Sequence, residues 1–133
     1  MALVEVAMRA ILAAVEASAA GNFSAVSMLN FLFEKNLERA LRILDQGGVQ
    51  RVTSEPSHRT VFQVIGESKG AAPCYLCFPD HYCSCQSFYF DVVAKSEQIY
   101  CKHQLAAKLA NALHMCKEVT MSDEELAYLL LEC

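Results

Sequence analysis

The sequence is short of glycine, proline and basic charge. Five Gly and three Pro in 133 residues, with 54% of residues hydrophobic, exclude a disordered, collagenous or linker-dominated chain. Eleven Lys and Arg against 15 Asp and Glu leave a net charge of −4. That is a poor endowment for gripping nucleic-acid phosphate unaided, because such grip comes from clustered Lys and Arg. Nothing approaches the roughly 20 apolar residues of a membrane span. There is also no Gly-rich loop ending in Lys-Ser/Thr, the phosphate cradle of ATPases. The run Ala10–Val15 imitates the core of an export signal, but it is too short and is flanked by Glu5 and Glu16. The expectation is a soluble, intracellular protein with no membrane segment and a single domain's worth of chain.

What is present in unusual amount is cysteine. Seven Cys cannot all pair within the chain, and in an intracellular setting cysteines more often bind metal than form disulfides.

Apolar spacing predicts a helix over residues 3–20, ended by Gly21-Asn22. A second helix is expected from an N-cap at Ser24 to about Gln46, stopped by Gly47-Gly48, with an apolar stripe that includes Phe33, Leu37, Ala40, Leu41 and Leu44. Periodicity then changes to that of strands over Val49–Thr53 and Thr60–Ile65, with Glu55-Pro56-Ser57-His58 as turn chemistry between them. A loop over 66–73 and a short strand over Cys74–Phe78 follow. Gln104 to Cys116 returns to a helical pattern, and Ser122 with Glu125 three residues on forms a capping box for a last helix. The expected architecture is α+β: N-terminal helices over 1–48, a small antiparallel sheet in a metal-bearing region over 49–116 (core 74–113), and a C-terminal helix over 117–133. All three parts are expected to form one compact unit.

The chemistry concentrates in Cys83-Ser84-Cys85 and Cys101-Lys102-His103. Three thiols and one imidazole are the donor set of a closed, four-coordinate structural zinc site. In a regular strand, residues i and i+2 sit about 6.6 Å apart, whereas two sulfurs each ~2.3 Å from one tetrahedral zinc lie roughly 4 Å apart. The chain should therefore curl at Ser84. Residues i and i+2 of a helix lie about 200° apart, so Cys101 should precede a helix and His103 should sit in its first turn. Three thiolates against one dication add one further negative charge.

Cys83-x-Cys85, Phe88, and Cys101-Lys102-His103-x-Leu105-Ala106 together resemble a SWIM-type zinc finger. The likeness extends to the small zinc-finger SWIM-domain subunits of the Shu complex. It is carried by His81-Tyr82-Cys83-Ser84-Cys85-x-x-Phe88-x-Phe90, Lys95-Ser96, Phe31-Leu32-Phe33, Leu41 with Leu44-Asp45, and Val61-Phe62-Gln63-Val64-Ile65-Gly66. It spans most of residues 28–131. The resemblance implies a zinc-pinned ββα unit holding one structural Zn2+ on Cys83, Cys85, Cys101 and His103. It also implies a nuclear, non-enzymatic accessory factor of homologous recombination. Such a factor pairs with a RecA-like recombinase paralogue to promote recombinase filament assembly, and reaches DNA through the complex. Direct DNA binding by the zinc module is the alternative that other SWIM proteins imply.

Cys74-x-x-Cys77 has ligand spacing with His81 nearby, but no complete donor set remains for a second zinc, and free thiols in a sheet are expected. Cys116 and Cys133 read as core or surface thiols. A catalytic Cys101–His103 pair would sacrifice the metal and lacks an orienting third group. Lys95, Lys102, Lys108 and Lys117 are interspersed with Asp91, Glu97 and Glu118 and read as a mixed, solvated face.

Overall fold

The computed structural model describes Phe33 and residues 35–65, 74–85, 88–94 and 100–132. The expected helix over 3–20, the Ser24 cap, the loop over 66–73 and Cys133 lie outside the described residues.

The first described helix, α1 (Lys35–Asp45), buries Leu37, Ala40, Ile43 and Leu44. Leu41, expected in the apolar stripe, is instead 41% exposed. The solvent side carries an i,i+4 pair, Glu38 with Arg42 at 2.8 Å, in the favourable order for a helix surface. The helix ends in two tightening bonds: Gly48 N–H donates to the Ile43 carbonyl at 2.9 Å and Gly47 N–H to that of Leu44 at 3.0 Å. Gly47 occupies the left-handed region at φ 65°, as a C-terminal helix cap of this type requires.

Five strands follow: β1 (Val49–Glu55), β2 (Thr60–Ile65), β3 (Cys74–Phe78), β4 (Tyr82–Cys83) and β5 (Lys117–Ser122). Their order is β4-β3-β2-β1-β5. The first four pair antiparallel, but β5 runs parallel to β1. The sheet is thus mixed, where a small antiparallel one was expected, and residues 117–122 form a strand, where the C-terminal helix was expected to extend. Only Val119 and Met121 of β5 are partly buried, so this half-exposed edge strand gives a weak apolar alternation. Between β4 and β5 lie a π-helical turn over Phe88–Ala94 and the helix α2 (Lys102–Ala112). The last helix is α3 (Asp123–Glu132).

Strand alternation sends Val49, Phe62, Val64, Cys77 and Cys83 to the face covered by α1 and α2, and Val52, Val61 and Leu76 to the face reached by Leu126 of α3. The helix α2 is buried nearly all round, through His103, Gln104, Leu105, Ala106, Ala107, Leu109, Ala110 and Ala112. Its alanines let α1 and the sheet approach on both sides. Arg51 of β1 donates to both Glu118 carboxylate oxygens and to Asn111 Oδ1 at 2.9 Å, fastening β5 and the end of α2 to the sheet. The expected capping box of α3 is formed: Glu125 N–H donates to Ser122 Oγ at 3.1 Å and Ser122 N–H to Glu125 Oε1 at 3.4 Å. Among the described residues no helix is long and apolar enough to cross a membrane.

A Cβ at Gly47 would meet nothing closer than the Lys117 side chain at 3.6 Å, so the penalty for adding one is conformational. Gly47→Ala should lower the unfolding free energy by about 1–2 kcal/mol, read as a shift of the urea midpoint. Gly47→Asn, which tolerates the left-handed region, should recover part of it.

Candidate metal centre

The two ligand doublets are shaped by different devices. Ser84 N–H donates to the Leu76 carbonyl at 3.1 Å, and Leu76 N–H donates to Ser84 Oγ at 3.0 Å. The ladder thus closes on one residue through its backbone and its hydroxyl. The chain then bends, so Cys85 comes back beside Cys83 as the sulfur spacing demanded. Phe88 N–H donates to Cys85 Sγ at 3.3 Å.

The second doublet is a helix start. Cys101 is the N-cap of α2 with extended backbone, φ −74° and ψ 168°, and His103 falls in the first turn. Gln104 N–H donates to Cys101 Sγ at 3.4 Å, while Cys101 N–H donates to Gln104 Oε1 at 3.0 Å. A cysteine sulfur thus takes the role that Ser or Thr plays in a capping box. Gln104, 1% exposed, also donates through Nε2 to the Pro79 carbonyl at 3.2 Å, tying the β3–β4 turn to the helix that carries His103.

These devices bring Cys83, Cys85, Cys101 and His103 together, with all four ligand atoms within 4.8 Å of one another and every residue buried. That separation fits donors around one zinc. His103 Nδ1 lies 3.8 Å from Cys83 Sγ. Its Nε2 is, among the described residues, the buried side-chain nitrogen or oxygen without a hydrogen-bond partner, in an imidazole stacked on Tyr75 at 4.2 Å. An unpartnered buried polar group costs about 1–3 kcal/mol, so an imidazole clustered with three thiols and left without a full set of hydrogen bonds suits a ligand better than a structural histidine. The residues fit Zn2+ in number, softness and closure: four protein donors fill a tetrahedral shell and leave no open position for substrate.

The thiols control one another's protons. Hydrogen bonds from Cys101 first, and then Cys83, hold the Cys85 thiol far below its ordinary range. Cys101 is pushed well above its range by its contacts with Cys83 and Cys85 and by burial. At Cys83 the hydrogen bond with Cys101 pulls downward, but contacts with Cys77 and Cys85, together with burial, win and push it up. One thiolate therefore forms easily, and the next two need a cation to offset like charge in a buried site.

Other cysteines fall elsewhere. Cys77 is a buried free thiol as expected, whereas Cys74 is disulfide-bonded, against the expectation of a free thiol. Cys116 is free and half-buried beside Arg51 and Glu118, with burial pushing its thiol up. Lys108 is not part of a solvated face: it pairs with Asp80 and lies over the Tyr100 ring at 4.9 Å. Gln104 and Tyr75 were not anticipated. Gln104 had a readable signal, being three residues after Cys101 as in a capping box, whereas Tyr75 meets His103 only through the tertiary fold.

The purified chain should carry about one zinc, and chelation should unfold the region around α2 and β4, since apparent binding free energies of small structural zinc sites run to about 10–16 kcal/mol. Metal analysis beside circular dichroism checks this. With burial and mutual contact raising Cys83 and Cys101, zinc binding to the thiolates should release protons. Apparent affinity should then rise with pH and fall on acidification, measurable by chelator competition between about pH 6.5 and 7.5.

A family model described as the SWIM zinc finger matches residues 77–112. The chain is 37% identical over 131 residues to zinc finger SWIM domain-containing protein 7 of Homo sapiens, covering 98% of this chain and 91% of that protein. It is 40% identical over 105 residues to the protein of the same name in Mus musculus, covering 78% of this chain and 66% of the other. With the homolog of Dictyostelium discoideum it shares 35% identity over 98 residues, 73% of this chain and 61% of the other. No solved structure matches the chain. The converging Cys/His cluster and this relationship over nearly the whole sequence agree: the chain belongs to the zinc finger SWIM domain-containing protein 7 family.

Proposed function

We propose that the chain is a non-enzymatic, zinc-stabilised adaptor that pairs with a RecA-like recombinase paralogue in the nucleus and promotes recombinase filament assembly during homologous-recombination repair. The observation that carries this reading is the closed donor set. All four members of the Cys/His cluster are buried, so the metal organises a surface and leaves no coordination position for chemistry. The sequence resemblance to the Shu-complex subunits supplies the kind of partner, and the missing phosphate loop leaves ATP chemistry to that partner.

The charge pattern supports contact with DNA through the complex. The chain's net charge is −4. Lys108, beside the finger, is spent on Asp80 and Tyr100, and Arg51 on Glu118.

Co-expression of the full chain with the RecA-like paralogue of the same cell tests the reading. The two should co-purify as a stoichiometric complex, and Cys101→Ser should abolish it. Failure of the zinc-loaded wild type to bind the paralogue would undo the adaptor role. Tight, steeply salt-dependent binding of single-stranded or duplex DNA by the isolated chain would instead establish direct nucleic-acid binding.

A further inference from the structure

A fifth cysteine stands at the edge of the metal centre. Cys77 of β3 lies directly opposite Cys83 of β4 in the antiparallel ladder. The bond from Ser84 N–H to the Leu76 carbonyl makes 76 and 84 a hydrogen-bonded pair. Cys77 and Cys83 are therefore a non-hydrogen-bonded pair, the kind in which facing side chains come closest. Both are sealed from solvent, at 0% and 1% exposure, and both belong to the buried cluster that also holds Cys85 and Cys101. Yet Cys77 is not one of the four residues whose donor atoms converge.

We propose that Cys77 is an outer donor of the metal centre, its S–H donating a hydrogen bond to the sulfur of Cys83 and thereby positioning that ligand without binding the metal itself. A metal-bound thiolate accepts hydrogen bonds, and a buried S–H with that sulfur directly across the ladder has a natural place for its proton. The neighbouring ligands show the same demand: Phe88 N–H turns to Cys85 and Gln104 N–H to Cys101. Cys77, directly across the ladder, would give Cys83 the corresponding donor. Partners of this type commonly alter metal affinity by about 10–100-fold. The assignment rests on the zinc site alone and is independent of the adaptor role.

The alternative is that Cys77 merely fills core space beside Phe62 and Val64. The full-length chain distinguishes the two through Cys77→Ser, Cys77→Val and Cys77→Ala, each titrated with Zn2+ against a chromophoric chelator and with Co2+ as a spectroscopic probe. As an outer donor, Cys77 is replaceable by Ser, so that variant should bind zinc within about 3-fold of wild type, whereas Val and Ala should weaken binding by about 10–100-fold. In the Co2+ forms, Val and Ala should shift the thiolate-to-metal charge-transfer band to lower energy and leave the d–d bands unchanged. Should Val fail to fold, the Ala and Ser pair carries the comparison. Unchanged affinity and charge-transfer energy in Val and Ala would overturn the proposal. So would an altered d–d pattern, which would make Cys77 a ligand.

Discussion

The convergence of three thiols and an imidazole from two separated segments is the constraint on which the rest of this structure depends. Three buried sulfurs cannot all ionise without a counter-charge, and an imidazole with an unpartnered buried nitrogen is expensive. Each group alone works against folding. Together they define a place where a dication turns the penalty into cohesion. That place joins the end of the sheet at Cys83 and Cys85 to the start of α2 at Cys101 and His103.

Much of the surrounding architecture serves this junction. The helix α2 needs a fixed start if His103 is to face the sulfurs, and the Cys101–Gln104 capping box supplies it. Gln104 then reaches the Pro79 carbonyl, so the turn that leads into β4 and the helix that closes the site cannot move independently. Lys108, one turn farther along, repeats the fastening through Asp80 and the face of Tyr100. Alanines at 106, 107 and 110, all fully buried, keep α2 thin enough to lie between α1 and the sheet. Every segment that bears a cluster residue is tied down a second time by hydrogen bonds of its own.

The Cys/His cluster and its local shapes were legible because coordination chemistry constrains spacing. A Cys-x-Cys pair must curl and a Cys-x-His pair must straddle a helix start, whatever the rest of the chain does. The boundaries of β2 and β3 were legible for a related reason, since short alternating runs bounded by turn residues have few other solutions. The edge strand β5 was hidden because one side of its ladder and much of both faces meet solvent, so little apolar pattern remains in Lys117–Ser122. Its parallel pairing follows from the direction in which α2 returns the chain, which no local signal encodes. Leu41 misled for the opposite reason: an apolar residue on an amphipathic helix can lie beyond the contact face.

The sequence by itself therefore determined which four Cys and His residues cluster, the curl at Ser84, the helix start at Cys101 and the α+β class. Each of these rests on short-range geometry or on the chemistry of a residue type. Only the tertiary structure decided the mixed sheet order, the engagement of Lys108 and Arg51, the stacking of Tyr75 on His103 and the placement of Cys77 against Cys83. Those depend on strand register and on which elements share a face. Register joins residues that carry no mark of one another in the linear chain, and it is fixed only when the whole core packs at once.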